Sequence, residues 1–137
     1  MKRLVIDASY AASWFLPDET SGESEKLLAD IQQGNATICV PELWIYEMAN
    51  LLKTAGKRGR LDRSAVDEAA VFLGEIPFEP FSHTPHLMGR WLALAERHDL
   101  SAYDAAYLEL AERLNLPLKT LDQKLLHAAR AEKLLAG

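Results

Sequence analysis

Met1-Lys2-Arg3-Leu4-Val5-Ile6-Asp7 opens the chain with a short apolar run that stops on a carboxylate. An apolar, β-branched run closed by a polar residue reads as a buried strand. Two further runs have this form: Ala36 to Val40, closed by Pro41, and Leu116 to Leu121, closed by Asp122. Ile76 to Phe81 is a weaker fourth, because Pro77 and Pro80 remove ladder donors and push it to a sheet edge. Between these runs the period becomes helical. Ser24, Leu27, Leu28 and Ile31 share one face, as do Ala65, Val66, Ala69, Phe72 and Leu73. Pro41 and Pro85 suit first helical positions, Asp62, Thr84 and Ser101 suit N-caps, and Pro17, Gly34 and Gly59 mark stops. Strands alternating with helices predict an α/β sandwich around a mostly parallel sheet with right-handed crossovers. At 137 residues and 49% hydrophobic content the chain fills one core, so a single domain over residues 1–137 is expected.

Composition removes several function classes. The apolar run after Lys2 and Arg3 is far too short for a signal peptide, and charges interrupt every window of the roughly 20 apolar residues a bilayer span needs. A soluble, cytoplasmic protein with no membrane partner is expected. Cys39 is the only cysteine, which rules out an intramolecular disulfide or a cysteine-rich zinc site. A net charge of −5 argues against a broad basic surface, so a polyanionic substrate would need local help from metal ions or a small basic patch. Lys53, Lys57, Arg58, Arg60 and Arg63 cluster around Gly56 and Gly59 at a helix junction, either as a solvated turn or as such a patch.

Four acids are the candidates for chemistry. Ligands of open parallel sheets bind beyond the carboxyl ends of the strands, where Asp7 and Asp122 both stand. If the first and last strands are neighbours, the two carboxylates are close. Each taken singly could equally cap the helix that follows it. Glu47 shares a helical face with Leu43, Trp44, Asn50 and Leu51, and Asp104 with Leu100, Tyr107, Leu108 and Ala111. Glu47 could instead reach solvent from a boundary position, and Asp104 could complete a capping box with Ser101. Burying such carboxylates without a partner costs several kcal/mol or more, so something positive is expected between them. Carboxylates without histidine or cysteine suit Mg2+ or Mn2+, and such a centre performs metal-assisted phosphodiester hydrolysis. His83 and His86 flank Pro85 without a third ligand, and Trp14, Trp44 and Trp91 read as core rather than as base-stacking platforms.

Val5-Ile6-Asp7-Ala8-Ser9, Pro41-Glu42-Leu43 leading to Glu47 and Asn50, Ser101-Ala102-Tyr103-Asp104-Ala105-Ala106-Tyr107, and Leu118-Lys119-Thr120-Leu121-Asp122 together resemble the PIN-domain family. The likeness is strongest to its VapC-type toxins of type II toxin–antitoxin pairs and covers nearly the whole chain. It implies a three-layer sandwich with a central sheet of four or five strands and about seven helices. It implies that Asp7, Glu47, Asp104 and Asp122 form an acidic quartet supported by Ser9 and Thr120, with Asp7 and Asp104 as direct metal ligands. It further implies endoribonuclease activity on transfer or ribosomal RNA, a homodimer, and neutralisation by a cognate antitoxin, with Lys57, Arg58 and Arg60 as candidate contacts to RNA or antitoxin. Many relatives carry a further strand after the helix at Asp122, where this chain has only Leu134-Leu135-Ala136-Gly137. Two other readings remain open: a PIN-like module that binds metal or protein without turnover, and a phosphatase or phospho-receiver with Asp7 as nucleophile.

Overall fold

The computed structural model describes residues 1–135. Four strands, β1 (Lys2–Ile6), β2 (Ala36–Pro41), β3 (Glu79–Phe81) and β4 (Leu118–Lys119), form one parallel sheet in the order β3-β2-β1-β4. Seven α-helices are present among the described residues: α1 (Ala8–Ala12), α2 (Gly22–Gln32), α3 (Leu43–Lys57), α4 (Arg63–Glu75), α5 (Met88–His98), α6 (Ala102–Leu114) and α7 (Gln123–Ala131). The two central strands are covered on both faces, so Leu4, Val5, Ile6, Ile38, Cys39 and Val40 are fully buried and read as continuous apolar runs. Helix α6 is buried from Ala105 through Ala111 and forms the heart of the core. One charge sits inside that block. Glu109 is 3% exposed, accepts from Arg113 Nε at 2.7 Å and from Trp91 Nε1 at 3.2 Å, and so is a buried carboxylate with its cation supplied.

A smaller cluster of Ala12, Leu16, Leu52, Ala55, Leu61 and Ala69 joins α1, α3 and α4. At Gly56 a Cβ would stand 3.2 Å from Val66 Cγ2, so the glycine lets α3 and α4 approach closely. The chain turns between them at Gly59, whose φ of +74° is strained for any residue with a side chain.

Several boundaries differ from the sequence-based expectation, each for a local reason. Pro41 ends β2 instead of starting a helix, because Glu42 N still donates to Phe81 O and the pairing with β3 runs past the proline. Strand β4 is shorter than Leu116 to Leu121. Leu116 N closes the end of α6 by donating to Ala111 O, and Leu121 N and Asp122 N turn to side-chain hydroxyls. The Ile76 to Phe81 run contracts to Glu79–Phe81 at the sheet edge, since Ile76 N is still bonded to Phe72 O of α4. Thr84 precedes a short 3₁₀ turn, Pro85–Leu87, without a side-chain cap, and α5 follows. Beyond β4 the described residues hold no fifth strand; a single backbone bond from Leu118 N to Leu134 O, 2.7 Å, lies there, and Ala136 and Gly137 are outside the described residues. No helix of the described residues is long and apolar enough to cross a membrane.

Leu108, fully buried on α6, tests this account of the core. Leu108→Ala is expected to destabilise the protein by about 2–5 kcal/mol in urea unfolding with an unchanged slope. A loss below about 1 kcal/mol would mean the site is far less tightly packed than its burial indicates.

Candidate acidic site

The sheet order makes β1 and β4 neighbours, with Val5 in register with Leu118 and Ile6 with Lys119. Asp7 and the Thr120–Asp122 turn therefore leave the same sheet edge side by side. Asp7 is 4% exposed and serves as N-cap of α1, its Oδ1 accepting from Tyr10 N at 3.0 Å. Ser9 Oγ donates to Asp7 Oδ1 at 2.8 Å and Thr120 Oγ1 donates to Oδ2 at 2.6 Å. Both hydroxyls also accept from the β4–α7 turn: Leu121 N reaches Ser9 Oγ and Asp122 N reaches Thr120 Oγ1, each at 3.0 Å. Each hydroxyl thus has its acceptor role taken by a backbone N–H, which leaves its proton for Asp7. Asp122 is exposed and caps α7 through Leu125 N at 2.9 Å.

Glu47 of α3 and Asp104 of α6 complete the expected quartet. Glu47 is half-buried, and Tyr107 Oη donates to its Oε1 at 2.5 Å. Tyr107 is 1% exposed, and burial followed by the Glu47 carboxylate pushes its phenol far above the ordinary range, so it remains a donor. Asp104 is half-buried in the first turn of α6, where its own N–H donates to the Ser101 cap at 3.1 Å.

The carboxyl groups feel one another. Burial raises the Asp7 pKa; bonds from Thr120, Tyr10 N and Ser9 pull it down, and the Asp104 charge raises it further. Burial raises Glu47 as well, opposed by Tyr107 and reinforced by Asp104 and Asp7. Asp104 is raised by burial and then by Asp122, with the Ser101 hydroxyl opposing. The four acids thus form one electrostatic neighbourhood at the carboxyl end of the sheet. The ion pairs among the described residues all involve other acids, and Lys124, the cation that feels the Asp122 charge, is paired with Asp99 at 2.9 Å. The carboxylates do not close on one point: among the described residues no three histidine, cysteine, aspartate or glutamate side chains make a ready metal cage. Such an open, oxygen-only set suits an ion that takes one or two carboxylates and completes its shell with water.

Other candidates separate from this centre. In the basic cluster Arg60 is held by Asp18 at 3.0 Å and Glu19 at 3.1 Å, and Arg63 by Asp67 at 3.1 Å. Lys57 and Arg58 have no ion-pair partner among the described residues. His83 packs edge-on to Trp91, Trp14 donates to Ser24 O, and Trp44 is 2% exposed, so His83 and the tryptophans carry packing, while His86 is exposed. Tyr107, read from the sequence only as core, is the polar group that reasoning missed. Its position three residues after Asp104 on the same helical face was the available signal.

These shifts have a definite sign. Asp7, Glu47 and Asp104 each have a folded-state pKa above the ordinary carboxylate value, so the folded state holds more protons than the unfolded state between those two values. Their contribution to stability is greatest below the ordinary value and is lost as pH rises through the raised one. In chelator, Asp7→Asn is therefore expected to gain stability relative to wild type as pH rises from about 4 to 7.5, read by urea unfolding at each pH. A relative stability that falls over that interval would contradict the raised Asp7 pKa.

Comparison with known proteins identifies the family and supports the fold. The PIN domain family model matches residues 4–131. Ribonuclease VapC3 of Pyrobaculum aerophilum is 34% identical over 128 residues, covering 90% of this chain and 92% of that one. Among solved structures, PAE2754 from Pyrobaculum aerophilum has a TM-score of 0.65 at 26% identity, covering 93% of this chain and 84% of that chain. VapC20 of Mycobacterium tuberculosis, described as a sarcin-ricin loop cleaving toxin, has a TM-score of 0.62 at 19% identity, with 91% and 94% covered, a likeness of fold. With a family match that spans residues 4–131 and a relative 34% identical over nine-tenths of both chains, the chain belongs to the PIN-domain family.

Proposed function

We propose that this protein is a cytoplasmic, divalent-metal-dependent endoribonuclease toxin, neutralised by a cognate antitoxin and acting as a homodimer. The observation that carries the reading is a set of carboxylates, one buried and two half-buried, whose pKa values are raised by burial and by one another and which form no ion pair among the described residues. The name of the VapC3 relative supports RNA as substrate; transfer or ribosomal RNA is the class we favour.

Asp7 and Asp104 would hold Mg2+ or Mn2+ directly, with Glu47 and Asp122 direct or through water. When bound, the ion supplies a water of lowered pKa and positive charge for the phosphodiester oxygens, the chemistry of metal-assisted hydrolysis. The protein's own part is orientation. Ser9, Thr120 and Tyr10 N fix both oxygens of Asp7, and Tyr107 fixes Glu47, so the acids need little reorganisation when the ion and substrate arrive. Exposed Asp122 keeps one side of the centre open to a large polyanion. A PIN-like module that binds metal or protein without turnover is the second reading.

Purified protein, free of antitoxin, is expected to cut total cellular RNA at discrete sites with Mg2+ or Mn2+ and to stop with chelator. Asp7→Asn and Asp104→Asn are expected to abolish the cuts while remaining folded. Tyr107→Phe is expected to lower activity about 10- to 100-fold, the usual effect of removing a group that orients a metal ligand. Metal binding with no cleavage from a folded wild-type sample would select the binding module, and cleavage retained in Asp7→Asn would overturn the assignment of the centre.

A further inference from the structure

A hollow of about 310 Å³ lies between α1 and α3, and Ser9 is part of its lining. Ser9 is shared by the hollow and the acidic centre, its hydroxyl donating to Asp7 Oδ1 at 2.8 Å. A second surface hollow, of about 640 Å³, runs along α4 past Ser64, Asp67 and Val71, and neither hollow is lined by any of the four acids. The floor of the Ser9 hollow is apolar, made by Ala12, Leu16, Leu51 and Ala55, while its rim carries Thr54, Arg58, Arg60 and Glu19. The volume is at the lower end of the roughly 300–1,000 Å³ range of small-ligand pockets.

The rim charges are not equivalent. Arg60 is already clamped by Asp18 and Glu19, which neutralises it and braces the wall of the hollow. Arg58, at the C-cap of α3, is exposed and has no ion pair among the described residues. An apolar floor takes the face of a base, the Thr54 hydroxyl can bond to its edge, and the Arg58 guanidinium fork matches a phosphate.

We propose that this hollow is the subsite for one unstacked nucleotide of the substrate RNA beside the scissile bond, its base on the Ala12, Leu16, Leu51 and Ala55 floor and its phosphate at Arg58. The proposal rests on the reading of RNA as substrate. It makes Thr54 a specificity-determining residue and Arg58 a sequence-independent phosphate contact, because single-stranded RNA is recognised by splayed bases seated in pockets. Within the basic cluster it separates Arg58, a substrate contact, from Arg60, a brace.

The test separates binding from cleavage. Fluorescent single-stranded oligoribonucleotides, each uniform in A, C, G or U apart from the label, are titrated in chelator into wild type, Thr54→Trp and Arg58→Ala, with folding checked by thermal melting. Wild type is expected to prefer one base. Thr54→Trp, which fills the hollow and excludes the base from it, is expected to bind the preferred oligomer about tenfold more weakly and to lose the preference. Arg58→Ala is expected to weaken all four oligomers alike and to flatten the salt dependence of binding. Wild-type affinity, preference and salt dependence in Arg58→Ala, together with unchanged preference in any folded Thr54→Trp sample, would overturn the subsite. Where Thr54→Trp fails to fold, Arg58→Ala decides alone. Failure of wild type to cut RNA would defeat the proposed function, while the titration still judges the subsite.

Discussion

Asp7 is buried, and its two carboxylate oxygens accept hydrogen bonds from Ser9, Thr120 and Tyr10 N in place of water. Desolvating a charge is expensive, and three donors recover only part of the loss, as the raised pKa of Asp7 shows. The donors come from segments more than a hundred residues apart in sequence, so the interaction exists only when β1 and β4 are paired. It therefore joins the fold to the site. The parallel register brings Thr120 to Asp7, and the two hydroxyls in turn fix the backbone of the β4–α7 turn from which Asp122 projects.

Glu109 shows what the four acids lack. It is at least as buried as Asp7, yet Arg113 and the Trp91 indole meet it, and it is spent on holding α5 to α6. A buried carboxylate with its own arginine is a structural element; the four acids form no ion pair among the described residues, and the proposed divalent ion would supply the missing charge. Tyr107 adds a further constraint, since a phenol kept protonated can only donate to Glu47, which favours the ionised form of that acid against the pull of burial.

Much of this was readable from residues alone. The runs ending at Asp7 and Asp122 reveal two strand ends on one edge, and the helical faces around Glu47 and Asp104 reveal carboxylates placed where solvation is poor. Pro80 marks β3 as an edge strand before any pairing is known. What stayed hidden depended on tertiary contacts. The early end of β4 follows from hydroxyls on Ser9 and Thr120 capturing backbone donors, and Pro41 remains in its strand because Phe81 O accepts from the next residue. Tyr107 looked like core because its ring is core and only its oxygen reaches the acids. The division of labour in the basic cluster was likewise invisible, since it is set by Asp18 and Glu19 some forty residues upstream of Arg60.

The central claim is that these carboxylates exist to receive a divalent ion. Crystals grown with Mn2+ and measured for its anomalous scattering test it most directly. The account predicts a peak touching Asp7 and Asp104, with Glu47 and Asp122 in direct or water-mediated contact, and the loss of that peak in Asp7→Asn. An Mn2+ peak bound elsewhere, or none at a concentration that saturates cleavage, would contradict it.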